Sequence, residues 1–80
     1  MRTYNIPNNE DLKIELHISD YGNDHEITVN DHCYALVILE NGFNKYDRRL
    51  IADWVSNTYY DGCYLSNQYV PPTVRLGDFT

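Results

Sequence analysis

Cysteine is scarce in this sequence, with only Cys33 and Cys63. Small secreted domains that lean on disulfides carry more, so the pair reads as free thiols in a reducing compartment, with one Cys33–Cys63 bridge as the alternative. Glycine is scarce too. The four glycines are scattered turn residues, and none belongs to a Gly-rich loop that would cradle a phosphate. Basic residues number six against 12 acidic ones, a formal charge of −6. Phosphates repel such a chain, which argues against direct binding to nucleic acid or to a membrane surface. The longest apolar run, Cys33 to Leu39, falls far short of the ~20 residues of a membrane span. Met1 to Leu12 lacks the apolar stretch of a signal peptide, so a soluble, cytoplasmic protein is expected.

Against these absences stand 80 residues that are 42% apolar and 14% aromatic, too hydrophobic for disorder. A single domain over residues 1–80 is expected, and a chain this short buries only roughly 60 to 65% of its unfolded surface. Residues 1–10, with Pro7, Asn8 and Asn9, read as an N-terminal arm ending in a turn. Leu12, Ile14, Leu16 and Ile18 alternate with Lys13, Glu15 and His17, the period of two of a half-buried strand. Asp20, Gly22 and Asn23 mark a turn. His25 to Val29 reads as a second strand, and Asn30-Asp31 as a two-residue turn without the usual glycine. His32 to Leu39, apolar on both faces, reads as a central or helix-covered third strand, closing a meander over 11–39.

The period then changes. Tyr46, Leu50, Ile51, Trp54 and Val55 recur at helical spacing, which predicts a helix over 44–60 with Tyr46 and Trp54 in the core. Asn44 is the N-cap, Asp47 complements the helix dipole, and Gly62 is the stop. Residues 63–80 read as an irregular tail broken by Pro71-Pro72, with room for a short edge strand at Thr73 to Leu76. The expected fold is α+β: a three-stranded antiparallel sheet, a meander, with one helix packed on one face.

All of the net charge lies in the first half. Residues 1–40 carry Glu10, Asp11, Glu15, Asp20, Asp24, Glu26, Asp31 and Glu40 against Arg2 and Lys13, while residues 41–80 are neutral. If Ile14 and Ile27 face the helix, Glu15 and Glu26 face solvent, and the acids of the turns lie at the ends of the same strands. Excess charge keeps small domains soluble; an acidic sheet face also suits a basic groove and steers association toward it. Eight tyrosines are many for this length, and Tyr59, Tyr60, Tyr64 and Tyr69 crowd the helix end and tail. They either wrap the core or anchor an interface.

Site chemistry is sparse. His17, His25 and His32 lack metal-ligand spacing, although His17 and His25 approach each other across a hairpin in one reading. The stretch Asp20 to Glu26 lacks the EF-hand register. Cys33, between His32 and Tyr34 on a strand, reads as a small core residue rather than a nucleophile. Lys45, Arg48 and Arg49 form one small basic spot on the helix, suited to the chain's own acids or to a protein contact. No enzyme activity, metal or cofactor is expected.

In size, acidity and richness in Asn, Asp and Tyr, the chain resembles the small inhibitors that bacteriophages make against host defence, of the anti-CRISPR and DNA-mimicking anti-restriction kinds. The strongest DNA mimics carry their acids along helices, whereas these acids fall on strands and turns. The resemblance implies a stoichiometric inhibitor acting in the bacterial host cell, monomeric or homodimeric, whose partner is a nucleic-acid-binding defence nuclease or complex. Glu10, Asp11, Glu15, Asp20, Asp24, Glu26 and Asp31 would meet its basic groove and block nucleic-acid binding, with Tyr59, Tyr60 and Tyr64 as apolar anchors. A homo-oligomeric assembly protein and a small enzyme or metal protein on His17, His25, His32 and Cys33 are the competing readings.

Overall fold

The computed structural model describes residues 2–20, 24–39, 43–60, 62–63 and 69–79. Its strands are β1 (Arg2–Ile6), β2 (Ile14–Ile18), β3 (Asp24–Val29), β4 (His32–Ile38) and β5 (Thr73–Arg75). The helix α1 (Lys45–Thr58) lies between β4 and β5, and a 3-10 turn, Leu76–Phe79, follows β5. The strands form one sheet in the order β1-β2-β3-β4-β5. Neighbours are antiparallel from β1 to β4, while β5 runs parallel to β4.

The sheet is therefore five-stranded and mixed, and not the three-stranded antiparallel meander expected. Both added strands are edges. In β1 only Ile6 is buried and Tyr4 half-buried, so the stretch expected as an arm shows little apolar alternation. β5 is three residues long, stands directly after Pro71-Pro72 and reaches β4 by way of α1. Parallel neighbours need such a crossover, and its pairing partner is too remote in sequence for local periodicity to reveal. The Leu36 amide donates to the Pro72 carbonyl at 2.8 Å and starts the pairing.

Register explains the core. Ile6 pairs with Ile14 and Ile14 with Val29; Tyr4 pairs with Leu16, Leu16 with Ile27, and Ile27 with Ala35. These rows share one face of the pleat, and Ile51, Ala52 and Val55 of α1 join them in the buried cluster. Leu16, Ile27, Val29, Val37, Ile51 and Val55 are fully buried, each contributing about 1.5–3 kcal/mol of hydrophobic stabilisation.

A bulge at Ile27/Thr28 breaks the alternation once: Ile27 pairs with Ala35 but Thr28 with Cys33, so Tyr34 is extra on β4. Bulged neighbours escape strict up-down alternation. Tyr34 and Ala35 are both buried, and the Tyr34 ring meets Trp54 of α1 edge-on at 5.3 Å.

The caps follow local chemistry. The Asn44 side chain accepts from the Asp47 amide at 3.0 Å, and the Asp47 carboxylate accepts from the Asn44 amide at 2.9 Å, a closed capping box. The helix ends at Thr58 rather than residue 60, because Tyr59 is already extended. Gly62, at φ 86°, sits in the turn beyond it. Tyr46 is 62% exposed rather than core. At 3.6 residues per turn it lies about 140° from Ile51 around the helix.

Asn30 and Asp31 both have positive φ, 51° and 70°, the type I′ geometry that suits a two-residue hairpin. No described helix is long and apolar enough to cross a membrane.

Candidate protein-binding face

α1 covers one side of the sheet. The other side carries Thr3 and Asn5 of β1, Glu15 and His17 of β2, Glu26 and Thr28 of β3, Cys33, Leu36 and Ile38 of β4, and Thr73 and Arg75 of β5. The face grades from polar and acidic on β1–β3 to apolar on β4. Leu36 and Ile38 are half-buried, while Thr73 and Arg75 are exposed.

Glu15 and Glu26 both border His17: Glu15 lies two residues before it on β2, and Glu26 pairs directly across from it. His17 is held in place from both sides. Its Nδ1 lies 3.3 Å from the Thr3 hydroxyl and its Nε2 lies 3.0 Å from the Thr28 hydroxyl, a chain of polar contacts across three strands. Sequence reading missed this chain because its members lie 14 and 11 residues apart and meet only once the register is set.

The remaining acids lie at the two ends of the sheet. Glu10 and Asp11 are exposed in the β1–β2 connection, and Asp31 is exposed in the β3–β4 turn. These two segments meet, because the Asn30 amide donates to the Lys13 carbonyl at 2.9 Å and the Lys13 amide to the Asn30 side chain at 3.1 Å. Asn8 shapes the connection: its side-chain oxygen accepts from the amides of Glu10 and Leu12 while its nitrogen donates to the carbonyls of Ile6 and Leu12. Asp20 lies exposed just past β2, and Asp24 opens β3 at that same opposite end.

Lys13 partly neutralises the first end. Its ammonium lies 2.7 Å from Asp31 and 3.9 Å from Glu15. The hydrogen bond and charge of Asp31 raise the Lys13 pKa, and the same bond lowers that of Asp31. Both groups are solvated, so salt screens the pair.

The aromatic residues fall elsewhere. Tyr59 lies 6.0 Å from the ring of Tyr34, in a cluster with Trp54 and Tyr69. Thr58 donates to the Trp54 carbonyl at 2.8 Å, so the Tyr34 hydroxyl donates to Thr58 Oγ1 at 2.5 Å. Tyr69 in turn donates to the Tyr34 carbonyl at 2.6 Å. Tyr59 is thus half-buried scaffold, whereas Tyr60 is 63% exposed just past α1. Both follow the helix layer and do not join Glu15 and Glu26 on the sheet's outer face. Tyr64 lies outside the described residues.

The zinc reading of His17 and His25 fails on parity. His25 faces the helix side, is 7% exposed, and accepts from the Ser19 amide at 3.1 Å, while His17 faces outward. Among the described residues no group of three His, Cys, Asp or Glu is arranged to hold a metal. Cys33 and Cys63 are unpaired thiols. Cys63 is buried in the core, and burial followed by the charge of Glu26 pushes the Cys33 thiol up, away from the reactive thiolate. No family model, curated protein or solved structure matches this chain.

Proposed function

We propose that this protein is a stoichiometric inhibitor that binds a basic groove on a nucleic-acid-handling defence complex and blocks access of the nucleic acid. The concentration of charge carries the reading. All of the net −6 falls within residues 1–40, and these supply the helix-free face through Glu15 and Glu26 and both ends of the sheet through the remaining site acids. A surface of this kind steers association with a cationic partner and competes with phosphate for it. Leu36 and Ile38, half-buried beside the acidic strands, offer the apolar area that charge alone does not supply. The sequence assigned the anchoring role to Tyr59, Tyr60 and Tyr64; Tyr59 is engaged with Tyr34, and on this face Leu36 and Ile38 take its place.

The test is capture of the partner from bacterial lysate on the tagged protein, followed by elution. Release at about 0.5 M salt, where the screening length is near 4 Å, together with competition by duplex DNA is the expected result. A partner held equally in high salt and in excess DNA would remove the acidic-groove mechanism. Recovery of the chain alone, with a native mass that is a salt-insensitive multiple of 9.4 kDa, would favour a homo-oligomer. The open edge of β1 is the feature that favours that second reading.

A further inference from the structure

On the helix layer, between α1 and the β1–β2 connection, runs a cleft of about 640 Å³. One wall is a single stripe of α1 that includes Lys45, Arg48, Arg49, Asp53 and Ser56; the other wall is formed by residues 7–10. The stripe follows helical spacing, so three cations at i, i+3 and i+4 face the same space, where like charges repel. Among the described residues no carboxylate lies within 4 Å of any of the three, in a chain with 12 acids available. Arg48 is also held in place. Its guanidinium lies 5.0 Å from the Tyr4 ring centroid and 5.4 Å from that of Phe43, and its buried Nε has no hydrogen-bond acceptor. The two rings restrain the guanidinium. Two exposed cations with no described carboxylate within 4 Å, beside a guanidinium restrained by two rings, suit an anion.

We propose that this cleft binds a phosphorylated, hydroxyl-bearing small molecule, a nucleotide or sugar phosphate, with Lys45, Arg48 and Arg49 on the phosphoryl group. Three cations, two of them guanidiniums with several directed donors, exceed what one carboxylate accepts and match a dianionic phosphoryl group. Farther along the stripe the chemistry changes sign. Asp53 is four residues past Arg49, about 6 Å along the axis, and Ser56 is one turn farther. A carboxylate and a hydroxyl accept hydrogen bonds from sugar hydroxyls or a base amino group, and the carboxylate disfavours a second phosphate there. The volume lies within the roughly 300–1,000 Å³ of small-molecule sites. The net negative charge does not forbid the ligand, because at physiological salt fields decay over about 8 Å and the nearest charges dominate. The cleft shares Glu10 with the acids of the inhibitor surface but no residue with the outer sheet face, so Lys45→Gln and Arg49→Gln probe this site without touching the acids of the inhibitor reading.

Titration of the ¹⁵N-labelled chain with AMP, ribose 5-phosphate and inorganic phosphate tests the site by NMR. AMP and ribose 5-phosphate should move the amide signals of Lys45 to Ser56 and Asn8 to Glu10 saturably, with inorganic phosphate doing so more weakly. Lys45→Gln and Arg49→Gln, both at exposed positions, should each weaken AMP by about tenfold, while Lys13→Gln should leave it unchanged. No saturable shift along α1 from any of the three probes, or wild-type affinity in the Lys45→Gln/Arg49→Gln double variant, would overturn the site. Inorganic phosphate binding as tightly as AMP would overturn the assignment of a hydroxyl-bearing ligand.

Discussion

Asp31 shows how backbone strain, charge and turn type compete at one residue. Its φ of 70° is costly for a side chain with a Cβ, and its ion pair with Lys13 is exposed. Asp31→Gly relieves the first and loses little of the second. It should leave the unfolding free energy no lower than that of the wild type, whereas Asp31→Val, a β-branched residue at positive φ, should lower it; urea denaturation reads both. Tyr69 is a second residue with a readable consequence. Its phenol, donating to the Tyr34 carbonyl, is pushed up to about 12, first by burial and then by the neighbouring Tyr34. A folded-state pKa raised above the unfolded value near 10 stabilises the protein below pH 10, and that contribution is lost as pH climbs toward 12. The melting temperature should therefore fall between pH 10 and 12, less steeply in Tyr69→Phe. Some of the fall should survive that change, because burial raises the Tyr34 pKa as well. An identical slope in both proteins would contradict this assignment.

At the scale of elements, α1 is the piece that closes the core. Ile51 is fully buried at its centre, so Ile51→Ala should cost about 2–5 kcal/mol in denaturant unfolding. The helix was legible in the sequence because its signals are local: apolar residues at three and four, and the Asn44–Asp47 box. The strands β2, β3 and β4 and the Asn30-Asp31 turn were legible for the same reason, since alternation and turn chemistry act within a few residues. β1 and β5 were not. Ile6 is the only fully buried residue of β1, and β5 depends on a partner strand more than 30 residues away. Tyr46 was misread because it shares the helical spacing loosely while lying off the Ile51–Val55 face. The bulge that turns Tyr34 inward leaves no mark in the sequence either, since Cys33-Tyr34-Ala35 reads as an unbroken strand.

At the scale of the molecule, the fold separates two surfaces of opposite character. The sheet presents Glu15 and Glu26 outward with acids at both ends, and α1 presents three cations, with no carboxylate within 4 Å among the described residues, to a cleft on the other layer that Glu10 also lines. Charge placement in the sequence identified the first surface. It did not identify the second, because Tyr4, Phe43 and residues 7–10 join Arg48 only in the folded chain. Capture of the partner from bacterial lysate by two tagged proteins in parallel tests the sheet face. One is the wild type and the other carries Glu15→Lys and Glu26→Lys, with circular dichroism confirming that both are folded. The wild type should retain a nucleic-acid-binding complex at low salt and the double variant should not, since reversed charges would repel a basic groove. Equal retention by both proteins would contradict this reading.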